Sequence, residues 1–300
     1  MPVSELKGLG IKQLLSNKYN WYKYRKAHRS FMNAVPFRNY LPDHLFNEVV
    51  SEYKKIPAAP AQDYSVEGME ALASERVRYI KEKLGKNPDS VLEVGPGAGF
   101  VLKKFKEQGV QKASALDIVD ILYPEVKKSG VELILSSANN MHPVPDKSFD
   151  LVVSWSALEH IPEPEKVFWE CLRILKPGGY LFLQFGPLYY SPWGYHHYSV
   201  LKYPYLHLLF PERMIHEYAK QVRGDGYEGY LPWTNGQDIN AYRFLKQQLP
   251  SEYLLESYGS GFDYYSAHII SKYPEVFKSK QVPFESFFVD NIQVGVYRKS

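Results

Sequence analysis

The 300-residue chain lacks most of the features that mark a specialised protein class. Its one cysteine, Cys171, excludes an internal disulfide framework and a cysteine-built zinc cage. No run of roughly 18 apolar residues occurs, so no transmembrane helix and no stable membrane insertion are expected. The opening MPVSELKGLGIKQLL carries Glu5, Lys7 and Lys12 without a continuous apolar stretch, unlike a secretory signal, and a cytoplasmic location is expected. Lys plus Arg number 36 against 33 Asp plus Glu, and that small excess excludes a strongly basic nucleic-acid binder as the default. No internal repeat or low-complexity tract is present. Aromatic residues are abundant: 25 Tyr and 16 Phe bring their share to 15%. Two readings of them stand, an aromatic core or a pocket walled by Tyr and Trp.

Residues 1–65 form an expected N-terminal cap or lid segment. In KQLLSNKYNWYKYRKAHR the apolar positions keep no clean helical period, and the charge run reads as a solvated face, with a membrane-surface role as the alternative. PAAPAQD (57–63) reads as a linker. A helix is predicted over 66–84, stopped by Gly85. From residue 90 the pattern alternates strictly. Strands are predicted at 90–95, 113–119, 131–138, 149–157 and 180–185, with helices at 99–109 and 165–175 and a short one at PEVKK. This alternation predicts an α/β fold, a doubly wound, mostly parallel sheet with helices on both faces. Residues 66–186 are the expected core. Residues 187–237, dense in Tyr, Pro and His, follow a strand's C-terminal end and are expected as a substrate-side insertion. Residues 238–300 are expected to complete the core sheet, with a helix at 238–249 and strands at 252–258 and 287–299.

The sharpest motif is Val91-Leu92-Glu93-Val94-Gly95-Pro96-Gly97-Ala98-Gly99, a strand entering a glycine turn and then a helix. Glycines admit a tight turn and a close ligand, and the helix start offers free N–H groups. The spacing is G-x-G-x-G, with a carboxylate two residues before the first glycine. Glu93 opposes phosphates and favours a cationic amine, so the turn suits a ligand with an ammonium, a carboxylate and an adenosine. The stretch resembles motif I of the class I S-adenosylmethionine-dependent methyltransferases, of the small-molecule and sugar methyltransferase type that includes the type 11 domain. That resemblance implies a Rossmann-like, seven-stranded sheet and S-adenosyl-L-methionine as cofactor, leaving as S-adenosyl-L-homocysteine. Glu93, Gly95, Pro96, Gly97 and Gly99 would hold its methionine part. Asp117, 22 residues after Gly95, would accept from the ribose hydroxyls, with Ile118 beside the adenine. The segment from SSANNMHPVPDKSFD to KPGGYLFL is similar to the family's longer signature. Ser137-Ala138 stands where the family often has an acid, so Ser137 or Asn139 would serve the adenine amine as neutral acceptors. Ser154 and Trp155 would lie beside the methionine, Trp155 either facing the sulfonium or packing in the core.

The acceptor implied is a small molecule or a glycan, methylated most simply on oxygen; N- or carboxyl methylation and an inactive binding scaffold are the alternatives. Nucleic acid is disfavoured, since no Asn/Asp-Pro-Pro-Tyr run follows the fourth strand. An alcohol must lose its proton, and neutral histidine is the usual base near pH 7. His160, His196 and His197 are the candidates, with His142 and His207 behind them. On an extended chain His196 and His197 would point oppositely. No carboxylate cluster suggests a metal on the ligand edge. The oligomeric state is not encoded legibly.

Overall fold

The run SVLEV forms strand β1 (Ser90–Val94), and every residue of it is buried. A strand sealed on both faces reads as an unbroken apolar run and belongs at the centre of a parallel sheet. In the computed structural model, which describes residues 11–52, 63–198, 200–224 and 234–300 (11–17 by backbone alone), β1 pairs in parallel with β2 (Lys112–Asp117) and β4 (Phe149–Trp155). Then β2 pairs with β3 (Glu132–Leu135) and β4 with β5 (Leu175–Phe185), both in parallel. Strand β7 (Val289–Arg298) runs antiparallel to β5, and β6 (Tyr253–Phe262) completes an open sheet of order β3-β2-β1-β4-β5-β7-β6. The order reverses between β1 and β4, and the crevice beyond their C-terminal ends is where such sheets hold ligands. The fold is α/β and Rossmann-like, as the alternation predicts.

The described residues fall into two compact units. One, the sheet unit, takes those within 60–188, 234–261 and 291–300; the other, the helical unit, those within 1–59, 189–233 and 262–290. In the sheet unit α3 (Val66–Leu84) begins where the Ser65 hydroxyl accepts the Gly68 N–H at 3.0 Å and ends at Gly85, whose φ of 66° a side chain would resist. Its inner residues Ala73, Val77 and Ile80 pack with Phe100, Val101 and Phe105 of α4 (Phe100–Glu107) over one face of the sheet. Helix α5 (Pro124–Lys128) is short, and α6 (Pro164–Ile174) sets Phe168 against Phe244 of a 3-10 segment, Ile239–Lys246. A regular helix was the expectation for that last segment. It starts one residue later than expected and ends three residues earlier, at Lys246, and its winding is tighter. Lys176 to Gly179, which the expected strand at 180–185 leaves out, already belong to β5, with a register shift between Phe149 and Leu151 of its neighbour β4.

The helical unit contains α1 (Ile11–Asn33), α2 (Phe46–Ser51), α7 (Leu206–Leu209), α8 (Glu212–Arg223), α9 (Ala267–Lys272) and α10 (Pro274–Lys278). Its core is aromatic: Phe31, Phe46, Phe210, Phe277, Phe287 and Phe288 are buried together with Tyr203 and Tyr205. Two expectations are corrected here. The stretch without a helical period is a 23-residue helix. Its inner face is narrow, with Tyr24 ring-to-ring at 5.1–5.4 Å from Tyr264, Phe284 and Phe288, far along the chain. Tertiary packing rather than local pattern stabilises it. The second correction is to 238–300, which does not serve the sheet throughout: residues 262–290 join the helical unit. Most of the expected linker at 57–63 lies outside the described residues.

Candidate active site

Side chains alternate along a strand, so Val91 and Glu93 face α3 and α4 while Leu92 and Val94 face the opposite side. Glu93 is therefore a carboxyl in an apolar layer. It is 2% exposed, and its Oε2 has no hydrogen-bond partner among the described residues. Burial pushes its pKa up to about 8, against the opposing pull of the Arg76 guanidinium. Arg76 comes from α3 and lies 4.8 Å from the centroid of the Trp155 ring. Burial lowers the pKa of this arginine, with Glu93 and Glu75 countering. An arginine one residue before Val77 of the Ala73, Val77 and Ile80 stripe was the available signal for this partner.

The chain then turns through Gly95, Pro96, Gly97 and Ala98 to Gly99, which caps α4 at its N-terminus. Gly95 donates to the Leu116 carbonyl at 2.9 Å, and a Cβ there would sit 2.6 Å from the Ala157 Cβ. Gly97 differs. Its φ is 54°, and a Cβ there would meet nothing within 4 Å. The turn is held from one side and open at its middle, which is how a cradle for a ligand is built.

Next along the crevice, Asp117 closes β2. Its Oδ1 accepts the N–H groups of Ile118 (2.7 Å) and Val119 (3.2 Å), which fixes the carboxylate and leaves Oδ2 without a partner among the described residues. Ile118 is 73% exposed, a large apolar side chain held in solvent beside that acid. After β3, the exposed Ser137 hydroxyl donates to Asn139 Oδ1, and Asn139 Nδ2 donates to Glu163 Oε2 at 2.8 Å; Ala138 is buried. Ser137 keeps its acceptor lone pairs.

Two expected residues turn inward. Ser154 is fully buried on the face opposite Glu93, and its hydroxyl donates to the Val94 carbonyl at 2.9 Å, tying β4 to β1. Trp155 packs on Phe182 at 4.8 Å beneath Arg76, so of its two readings the core one describes its contacts. Ser156, just beyond, is exposed and takes a left-handed φ of 53°, a strained conformation at the end of β4.

The turn Leu158–His160 follows. Asn235 clamps it: its N–H donates to the Glu159 carbonyl at 2.7 Å, and its Nδ2 reaches the carbonyls of Leu158 and Ile161 and the Tyr242 hydroxyl. The sequence offered no sign of this clamp. His160 is half-buried, while Glu159 is sealed and its pKa is pushed up to about 8 by burial, opposed by the Glu159 and Gly186 backbone N–H groups.

His196 and His197 belong to the helical unit. The chain there is not extended. His196 has φ of 55° and stacks on Tyr198, and His197 is buried with its pKa lowered by burial and by Arg223. The opposite-pointing argument therefore does not apply; a turn decides their directions. With His207 and Tyr195 they line a cavity of about 10 Å³, room for roughly one water. His207 is a core residue, its Nε2 donating to the Tyr189 carbonyl at 2.7 Å and its pKa pushed down to about 3 by burial. His142 is exposed.

Residues 92–183 match the methyltransferase domain family, Methyltransf_11. The chain's similar relatives include a ubiquinone biosynthesis O-methyltransferase of Xanthomonas oryzae pv. oryzae, 31% identical over 143 residues, 44% of this chain and 59% of the relative. Another ubiquinone biosynthesis O-methyltransferase, from Pseudomonas fluorescens, is 29% identical over 153 residues, 49% of this chain and 64% of the relative. The matched stretch thus spans about three-fifths of these relatives' length. Among solved structures, a SAM-dependent methyltransferase from Aquifex aeolicus is similar over 82% of this chain and 97% of its own, at 16% identity and a TM-score of 0.39. The segment that matches the family contains Glu93, the glycine turn, Asp117 and the Glu159–His160 turn, and excludes Arg76, Asn235, His196 and His197.

Proposed function

We propose that the chain transfers a methyl group from S-adenosyl-L-methionine to an oxygen of a small-molecule or glycan acceptor. The observation that carries this reading is the sealed Glu93 carboxyl, one oxygen unpartnered, at the foot of a glycine turn that is open at Gly97. A buried carboxyl without its hydrogen bond costs stability, so its retention points to a ligand cation that completes it. Glu93 and the turn would hold the amino-acid end of the cofactor. Asp117 Oδ2 would accept from the ribose, Ile118 would cover the adenine, and Ser137 would offer it a neutral acceptor. When bound, the cofactor supplies an already activated methyl group. The protein's task is then to align the acceptor and keep water out. Oxygen as the attacking atom is supported by the O-methyltransferase names of both relatives.

An alcohol acceptor needs a base. His160 is carried by the same unit as the glycine turn and is placed by the Asn235 clamp. At His197, burial and then Arg223 lower the pKa, the direction that favours the neutral imidazole a base requires. Isothermal calorimetry with S-adenosylhomocysteine tests the cofactor reading, and absence of binding at high micromolar concentration would falsify it. Separate alanine changes at His160, His196 and His197 test the base. One should lower kcat about 100-fold while cofactor affinity holds. Three unaffected variants would mean an acceptor that needs no base.

A further inference from the structure

Helix α1 has two unlike sides. Tyr24, Ala27 and Phe31 point into the helical unit, and Lys23 is drawn in with them, its Nζ donating to the Tyr265 carbonyl at 3.1 Å and lying 4.1 Å from that ring. At 100° per residue the other side gathers Lys18, Trp21, Tyr22, Arg25, Arg29 and Met32 on one stripe. All six are exposed. Just past the helix, Val35 and Phe37 are 76% and 75% exposed. Large apolar side chains held this far into water, so close together along the chain, mark a surface that meets something.

The charge of the segment says what. Residues 11–42 hold seven Lys and Arg and no Asp or Glu, and the first acid after them is Asp43. The whole chain's +3 less these seven leaves −4, so the chain's cationic character is concentrated here. Arg25 lies 4.7 Å from the Trp21 ring and Arg38 lies 4.9 Å from the Phe37 ring, so cation and apolar face are presented together. Aromatic residues with polar tips settle at headgroup depth, Met, Val and Phe at the acyl boundary, and Lys and Arg on anionic headgroups. A nucleic acid would match the cations and stack on the rings, but it has no use for Met32 and Val35. No helix among the described residues is long and apolar enough to cross a membrane. We propose that this face of α1, extended by Val35 and Phe37, docks on the surface of an anionic lipid bilayer.

The test is co-sedimentation of the full chain with vesicles of phosphatidylcholine alone and of phosphatidylcholine with an equal part of phosphatidylglycerol. The chain should sediment with the anionic vesicles only and be released by salt. Arg25→Glu with Arg29→Glu should weaken binding at least tenfold. Trp21→Ala with Phe37→Ala should do so about as strongly at constant charge. On the unaltered chain, lipids brominated near the headgroup end of the acyl chain should quench tryptophan fluorescence, and Trp21→Phe should reduce that quenching. No sedimentation with anionic vesicles overturns the proposal. So does equal binding by the Trp21/Phe37 variant, or displacement from vesicles by polyuridylate at lower concentration than by the lipid itself, which would make the face a nucleic-acid surface. Because the readout is sedimentation, its failure leaves the methyl-transfer reading untouched.

Discussion

The two units bury opposite chemistry. Among the described residues, the fully buried carboxylates, Glu93 and Glu159, lie in the sheet unit, and the buried imidazoles, His197 and His207, lie in the helical unit. The sheet unit is otherwise an apolar α/β layer of aliphatic and aromatic side chains, Phe100, Phe105, Tyr180 and Phe182 among them, and its two acids are held at a cost that packing does not return. The helical unit is an aromatic cluster in which His207 satisfies a carbonyl and stays neutral. A buried acid with an orphaned oxygen is a vacancy for chemistry; a buried imidazole on a carbonyl is part of the core.

The comparison breaks first at the glycine turn. Gly97→Asp should abolish S-adenosylhomocysteine binding while the chain still folds with some loss of stability, since its φ of 54° strains a side chain although a Cβ there meets no atom of the described residues within 4 Å. Calorimetry and circular dichroism on one preparation check both halves, and retained affinity would move the cofactor elsewhere. Asp117→Ala should weaken the same ligand by about 1–3 kcal/mol, the loss expected for a charged hydrogen-bond partner. Unchanged affinity would remove the ribose assignment. On the other unit, His207→Ala should cost on the order of 2 kcal/mol in urea unfolding, because the Tyr189 carbonyl loses its donor. Cofactor affinity should not follow. If it did, the division between the units would be less clean than drawn.

A pH dependence sharpens the comparison from the side of the acids. Glu159 has its folded pKa raised to about 8 by burial, well above its unfolded value near 4.5. Its contribution to stability is then present below pH 4.5 and is lost as pH rises from there through 8. Glu159→Gln cannot titrate, so the denaturation midpoint of the wild type should fall relative to the variant between pH 5 and 8. Above pH 8 the gap should level off. Parallel curves would show that Glu159 is already ionised in the folded protein.

Much of the sheet unit was legible because its signals are local. Short β-rich runs alternate with amphipathic helices, Gly85 ends α3, and Glu93 with its glycine turn stands within nine consecutive residues. Where the reading failed, the decisive contacts were remote. Ser154 faces the opposite side from Glu93 because of strand parity and a bond to β1. The Asn235 clamp acts on a turn 74–77 residues earlier in the chain. Arg76 lies outside the motif whose acid it faces.

Taken alone, the order of residues determined the doubly wound topology and the cradle between β1 and α4, because both follow from period-two burial and from glycine's freedom at positive φ. Tertiary structure decided which side chains remain available within that plan. It turned α1 into a helix by giving Tyr24 and Phe31 partners from 264–288, and it placed 262–290 in the helical unit. It also sealed Glu93 and Glu159 deeply enough to raise their pKa values. Burial depends on distant segments of the chain, and a sequence displays only neighbours.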